Sequence, residues 1–244
     1  RIGVPLWRSA RHVIRVESVE RDGPGAVVVR MRGRALSRLH ARPGQFFVWR
    51  FLDGPGWSRG HPFSLAAAPA GDEFVIAARV VGDGTQRLAR LRRGTRVLIE
   101  GPYGDMTGER RTRRRLLMLG AGAGTAPLLA LLEAEPYRPG EATLVTRDHL
   151  DRDAIRADAV ARLVRERGVR HVPMNGPRRT DGSTWMPAGM HSGSGADHLR
   201  SLAGDIDECD VFLCGPIPWM AALRADLRAA GVPSSRIHSE SFAV

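Results

Sequence analysis

The stretch Leu116-Leu-Met-Leu-Gly-Ala-Gly-Ala-Gly-Thr-Ala-Pro-Leu-Leu-Ala-Leu-Leu132 constrains this chain's fold more than any other. Four apolar residues read as a buried strand, glycines follow at Gly120, Gly122 and Gly124, and an apolar helical run begins at Thr125. Glycines between a strand and a helix let backbone approach an anion closely, and the helix N-terminus offers that anion free N–H groups and the positive end of its dipole. Pro127 suits a first helical turn, where its missing N–H is not needed. Such a turn is shared by dinucleotide enzymes, methyltransferases and plain strand–turn–helix packing, so the flanking sequence has to decide.

The two flanks differ in kind. Residues 12–20, 26–32, 45–52, 61–67, 73–81 and 95–100 read as short strands separated by turns such as Asp22-Gly-Pro-Gly25 and Asp53-Gly-Pro-Gly56, with one short helix over 85–91. That pattern predicts an antiparallel Greek-key β-barrel. From residue 116 onward strands alternate with helices: 116–119, helix 125–134, 142–146, helix 153–167, 171–174, helix 196–203, 211–215, helix 218–230 and 237–242. Ile155, Val160, Leu163 and Val164 are expected on the buried face of the second of these helices. Alternation of this kind predicts an α/β domain with a parallel sheet covered on both faces. The expected organisation is a barrel domain over 1–108, a solvated Arg-rich linker over 109–115 (Arg110-Arg-Thr-Arg-Arg-Arg115) and a nucleotide-binding α/β domain over 116–244.

Composition excludes several classes. No apolar run reaches the ~18 residues that span a bilayer. Two cysteines, Cys209 and Cys214, make no disulfide framework, point to a reducing, cytoplasmic setting, and fall short of the four that an iron–sulfur cluster takes. No His/Cys grouping has zinc spacing, so no metal site is expected. The net charge of +11 comes entirely from arginine, with no lysine, and suits phosphorylated cofactors or an anionic membrane surface. Basic motifs interleaved with aromatics are missing, and nucleic acid is not expected as a partner. The chain opens on Arg1 rather than Met and reads as a segment of something longer.

Two parallel strands end in glycine turns, Gly120–Gly124 and Cys214-Gly215-Pro216, and both ends should face one crevice. The barrel half adds His61-Pro62-Phe63-Ser64-Leu65, Gly82-Asp-Gly84-Thr85 and Glu100-Gly101-Pro-Tyr103-Gly104, and the chain closes on His238-Ser-Glu240-Ser-Phe242. In this order the motifs resemble the ferredoxin–NADP reductase superfamily over about residues 10–243. They are most similar to the flavin/nicotinamide half of ferric-reductase and NADPH-oxidase-like membrane oxidoreductases.

The resemblance implies an oxidoreductase, a flavoprotein that takes hydride from NAD(P)H onto FAD N5 and passes electrons singly to an acceptor. On the flavin side it implies His61 (where many relatives carry Arg), Pro62, Leu65, Arg79, Gly82, Gly84 and Thr85 around the cofactor. Phe63 is implied against the isoalloxazine, Ser64 at N5, and Gly101, Tyr103 and Gly104 along its border. On the nicotinamide side it implies Gly122, Gly124 and Thr125 at the pyrophosphate, with Gly215 and Pro216 beside them. Ser64, Cys214, Glu240 and Phe242 are the implied catalytic group, Cys214 positioning the nicotinamide and Phe242 covering the flavin face. Arg147 after the second parallel strand suits a 2′-phosphate and favours NADPH, whereas the neighbouring Asp148 suits the ribose hydroxyl of NADH. The implied acceptor is a haem-bearing membrane segment preceding Arg1. A soluble reductase serving a ferredoxin or oxygenase is the alternative, and a non-catalytic nucleotide-sensing module or a methyltransferase with an unrelated β domain are the readings from other classes.

Overall fold

A computed structural model describes residues 11–177, 185–190 and 193–241. The first domain contains β1 (Arg15–Asp22), β2 (Ala26–Arg32), β3 (Phe46–Phe51), β4 (His61–Ser64), β5 (Glu73–Arg79), α1 (Asp83–Leu88) and β6 (Val97–Tyr103). These strands form two antiparallel sheets, ordered β1-β2-β5 and β4-β3-β6. The inward residues of β3, Phe47, Trp49 and Phe51, meet Val27, Val29, Met31, Phe74 and Ile76 from the other sheet in one core. The expected strand over 61–67 ends at Ser64, because the chain there leaves β3 and crosses toward β5: Leu65 donates its N–H to Gln45 O (3.1 Å) and Ala66 to Val75 O (2.8 Å). The last barrel strand runs further than its apolar pattern suggests, through Gly101 to Tyr103.

The second domain contains β7 (Arg115–Ala121), α2 (Thr125–Ala134), β8 (Ala142–Asp148), α3 (Ala157–Arg167), β9 (Arg170–Asn175), α4 (Gly195–Ala203), β10 (Cys209–Gly215), α5 (Ile217–Ala229) and β11 (Ile237–Ser241). All five strands are parallel, in the order β11-β10-β7-β8-β9. Met118, Leu144 and Phe212 face α2 and α3 on one side of the sheet, and Leu117, Val145 and Leu213 face α4 and α5 on the other. The strand order reverses between β7 and β10, and a doubly wound sheet opens its ligand crevice at the carboxyl ends of such a pair. Both glycine turns lie there.

Two expectations in this domain are corrected. The helix expected over 153–167 begins only at Ala157, because Asp151–Asp153 forms a 3-10 turn and Arg156 adopts φ 54°. Val164 is exposed rather than on the buried face.

The domains share an apolar seam. β2 and β5 are nearly continuous hydrophobic runs because both their faces are covered: Ala26, Val28, Val75 and Ala77 turn away from the barrel and pack on Ala126 of α2 and on Ile155. Polar contacts stitch the same seam. Arg156 N–H donates to the Asp22 carboxylate (2.6 Å), its guanidinium to Ala66 O (3.2 Å), and Ala68 N–H to the Glu133 carboxylate (2.8 Å).

The Arg-rich connector is pinned rather than free. The fully buried Asp210 carboxylate accepts the N–H groups of Thr112 and Arg113 and lies 3.0 Å from His238 Nε2. Arg111 folds back onto the carbonyls of Arg113, Arg114 and Pro136, and Arg115 already belongs to β7.

Candidate functional site

The glycine turn is built by close approach. Gly122 to Gly124 makes one 3-10 turn, with Gly122 at φ +55°. A Cβ on Gly124 would stand 2.1 Å from Cys214 O and 2.8 Å from Gly215 N, so the turn is seated directly on the backbone at the end of β10. Gly215 is bare for a similar reason, since a Cβ there would meet Ala121 and Trp219 at 2.9 Å. Thr125, the first residue of α2, is buried, and its Oγ1 has no hydrogen-bond partner among the described residues.

Across the seam, β4 carries His61, Phe63 and Ser64, the residues expected at a flavin. Trp49 Nε1 donates to Phe63 O (2.9 Å) and holds that strand in place. The Phe63 ring stacks toward His61 (6.3 Å between centroids) and leans on the barrel core. Burial, then the charges of Arg59 and Arg87, pushes the His61 pKa below the ordinary imidazole value. Gly84 is side-chain-free because a Cβ would lie 2.8 Å from the His61 ring. Ser64 is buried, and its Oγ also has no partner among the described residues.

Glu240, on β11, stands opposite Cys214 in the parallel register. Its carboxylate reaches across to the first domain, where a Cβ on Gly104 would sit 2.8 Å from Oε2. Burial, and after it the charge of Asp105, raises the Glu240 pKa above its ordinary value. Cys214 is fully buried, and burial reinforced by Glu240 pushes its thiol far up, which holds it protonated. Cys209 is buried as well, its thiol pushed to about 11.

The other expected site residues are located as follows. The Leu65 side chain is wholly inside the barrel core and does not line the crevice. Thr85 is spent on the start of α1: its N–H donates to Gly82 O (3.0 Å), and its hydroxyl donates there too (2.9 Å) while accepting the Val81 N–H. Gly82 and Pro62 are exposed. Gly101 packs on Phe47, and Tyr103 lies beside Phe46 (5.6 Å) with its hydroxyl donating to Glu100 (2.9 Å). Pro216 precedes α5 at the mouth of the second turn. Arg147 is buried, its guanidinium turned onto the carbonyls of Asp148, Met174 and Pro177. Arg79 leaves the barrel for the other domain, pairing with the Asp148 carboxylate (2.5 Å) and donating to Asp153 O. Phe242 lies outside the described residues.

Asp22 and Arg156 shape the seam, Gln45, which donates from Nε2 to Gly104 O (3.2 Å), and Trp49 brace the barrel side of the site, and none of the four carries a motif. Asp22 opens a Gly-Pro-Gly turn, and that turn was the only sign of it in the sequence.

Residues 13–107 match the family model described as an FAD-binding domain. The chain is 26% identical over 206 residues to the ferredoxin reductase component of 3-ketosteroid-9-alpha-monooxygenase from Rhodococcus rhodochrous, covering 82% of this chain and 56% of that protein. It is 27% identical over 241 residues to the ferredoxin–NAD(+) reductase component of an alkene monooxygenase system from Xanthobacter autotrophicus, covering 95% and 70%. The chain thus spans little more than half the length of the first of these relatives. A crystal structure of a ferredoxin NADP+ reductase from Neisseria gonorrhoeae with bound FAD and NADP superposes with a TM-score of 0.73 at 18% identity, over 95% of this chain and 98% of that one. The fold is that of the ferredoxin–NADP reductases, which the resemblance carried by the motif order implied.

The residues present fit a flavin and a dinucleotide. Two buried hydroxyls, Ser64 and Thr125, stand on the two sides of the seam without partners among the described residues, and the glycine turns bring bare backbone at Gly124 and Gly215 together at the ends of β7 and β10. An unsatisfied buried hydroxyl costs about 1–3 kcal/mol, which a ligand atom accepting or donating there recovers.

Proposed function

We propose that this chain is the flavin- and nicotinamide-binding part of an NAD(P)H-dependent reductase that delivers electrons one at a time to a ferredoxin or oxygenase protein. The observation that carries the reading is the pair of buried hydroxyls without partners among the described residues, Ser64 beside the barrel rim and Thr125 at the glycine turn. Bound FAD supplies the ability to take two electrons together and release them singly. His61, Phe63 and Ser64 would hold it, the Ser64 hydroxyl donating to N5 and the neutral His61 ring adding no charge beside it. Gly122, Gly124 and Thr125 would hold the coenzyme at the turn. The buried Cys214 would shape the nicotinamide slot as a protonated thiol, positioning rather than attacking. Glu240, which keeps its proton to higher pH than an ordinary glutamate, is placed to donate or accept one beside that slot.

The proposed coenzyme is NADH. The arginine that favoured NADPH, Arg147, has its guanidinium turned onto main-chain carbonyls, and beside it at the carboxyl end of β8 lies the buried carboxylate of Asp148, paired with Arg79. A carboxylate there accepts from a ribose hydroxyl and repels a 2′-phosphate.

A protein acceptor is preferred to a haem-bearing membrane segment because the relatives are reductase components of oxygenase systems. Among the described residues no helix is long and apolar enough to cross a membrane. The 244 residues hold two cysteines, so an iron–sulfur acceptor lies outside them.

Anaerobic stopped-flow absorbance tests the reading. Protein loaded with FAD is mixed with NADH or NADPH while the flavin band near about 450 nm is followed. Fast bleaching, quicker with NADH, is expected. Bound flavin that neither coenzyme bleaches would refute the catalytic reading, and faster bleaching with NADPH would refute the coenzyme assignment.

A further inference from the structure

Arg79 is the last residue of β5 in the barrel domain, yet its guanidinium works in the other domain. It pairs with Asp148 at the carboxyl end of β8 and donates to the carbonyl of Asp153. Its stem passes directly over the glycine turn: a Cβ on Gly122 would lie 3.4 Å from Arg79 Nε. One arginine therefore stands between the backbone where a dinucleotide diphosphate would lie and the carboxylate where its ribose would lie. The Asp148 side chain is almost entirely buried, whereas that of Arg79 remains a quarter exposed. The partner that can move is thus the arginine.

We propose that Arg79 is an exchanging cation: it pairs with Asp148 when no coenzyme is present, turns onto the coenzyme's diphosphate when one enters, and releases Asp148 to accept the ribose hydroxyl. The proposal rests on the reductase reading of the site and adds a positioning and specificity role to it. Its chemistry follows from the groups. A guanidinium presents five donors in a planar fork that fits two phosphate oxygens as well as a carboxylate, and a diphosphate brings more negative charge than the carboxylate it displaces. Burial raises the Asp148 pKa and the Arg79 charge offsets part of that, so a released carboxylate needs a new hydrogen-bond donor, which the ribose provides. Each domain contributes one member of the pair, so the exchange also registers coenzyme at the seam.

The test uses FAD-loaded protein and ADP-ribose, a probe with diphosphate and ribose but no nicotinamide, with binding followed by calorimetry. Arg79→Gln is expected to weaken ADP-ribose about ten-fold, the scale of losing charge-assisted hydrogen bonds, and Arg79→Lys to recover part of it. Asp148→Asn keeps an acceptor for the ribose but no longer clamps the arginine, and it is expected to tighten ADP-ribose several-fold. That gain should vanish in the Arg79→Gln background. Unchanged binding in Arg79→Gln, or weaker binding in Asp148→Asn, would overturn the exchange and leave the pair as an interdomain strut. A loss confined to FAD affinity in Arg79→Gln would overturn it too, by assigning the arginine to the flavin's diphosphate. These binding results stand apart from the reductase reading, which fails only if wild-type flavin is not reduced.

Discussion

Gly124→Ala is the sharpest perturbation of this architecture, because the obstacle to a side chain there is backbone. The added Cβ would lie 2.1 Å from Cys214 O, 2.4 Å from Cys214 C and 2.8 Å from Gly215 N. Non-bonded heavy atoms settle near about 3.5 Å, so the glycine turn and the end of β10 must separate by roughly 1 Å. Neither can yield cheaply: Cys214 is hydrogen-bonded into a strand flanked by β7 and β11, and Thr125 just after the turn is buried at the head of α2. Overpacking of this kind costs about 1–3 kcal/mol, which for a chain of this size lowers Tm by roughly 2–12 °C. The same shift parts the two turns that flank the proposed coenzyme slot, and a displacement near 1 Å costs about 100-fold in a reaction governed by ring-to-ring geometry. Thermal unfolding followed by circular dichroism, together with the rate of anaerobic flavin reduction, reads both effects. Gly25→Ala is the control, since a Cβ there meets nothing within 4 Å. A Gly124→Ala protein that melts with the wild type and reduces its flavin at the wild-type rate would refute the seating of the turn on Cys214.

Three further outcomes are expected. Ser64→Ala removes a buried hydroxyl that has no partner among the described residues, so the flavin-free protein should melt no lower than wild type while NADH-driven bleaching slows with FAD still bound; a clear loss of Tm without flavin would contradict this. Asp210→Asn releases the connector and should cost about 3 kcal/mol at neutral pH. Burial pushes the Asp210 carboxyl up, but His238 and the N–H groups of Thr112 and Arg113 outweigh it and hold its pKa below the ordinary 3.8. A depressed carboxylate pKa stabilises the fold above the unfolded value and loses that contribution as pH falls through the folded one, so the Tm gap between the two proteins should close in acid below 3.8 and stay open at neutral pH. Arg147→Ala should lower Tm while changing NADH and NADPH affinity by the same factor, because the guanidinium serves the carbonyls of Asp148, Met174 and Pro177; a selective loss of NADPH affinity would restore it as a 2′-phosphate ligand.

Sequence alone determined what depends on neighbours along the chain. Alternating apolar residues in 45–52 announce β3, and the run from Leu116 to Leu132 announces strand, turn and helix, because periodicity and glycine placement are local properties. Short strands broken by turns announced the barrel, and strand–helix alternation announced the parallel sheet. What sequence left open was settled by partners far apart in the chain. Arg147 and Asp148 are adjacent and equally polar in sequence; packing against β9 turned one onto carbonyls, and Arg79, 69 residues away, pairs with the other. Val164 fits a helical stripe yet faces solvent, on a side of α3 that none of the described residues covers. Leu65 belongs to a site motif yet fills the barrel, because the chain past Ser64 crosses the barrel toward β5. The hydroxyls of Ser64 and Thr125 look ordinary in sequence. Only burial leaves them without partners among the described residues, and burial is a property of the whole fold.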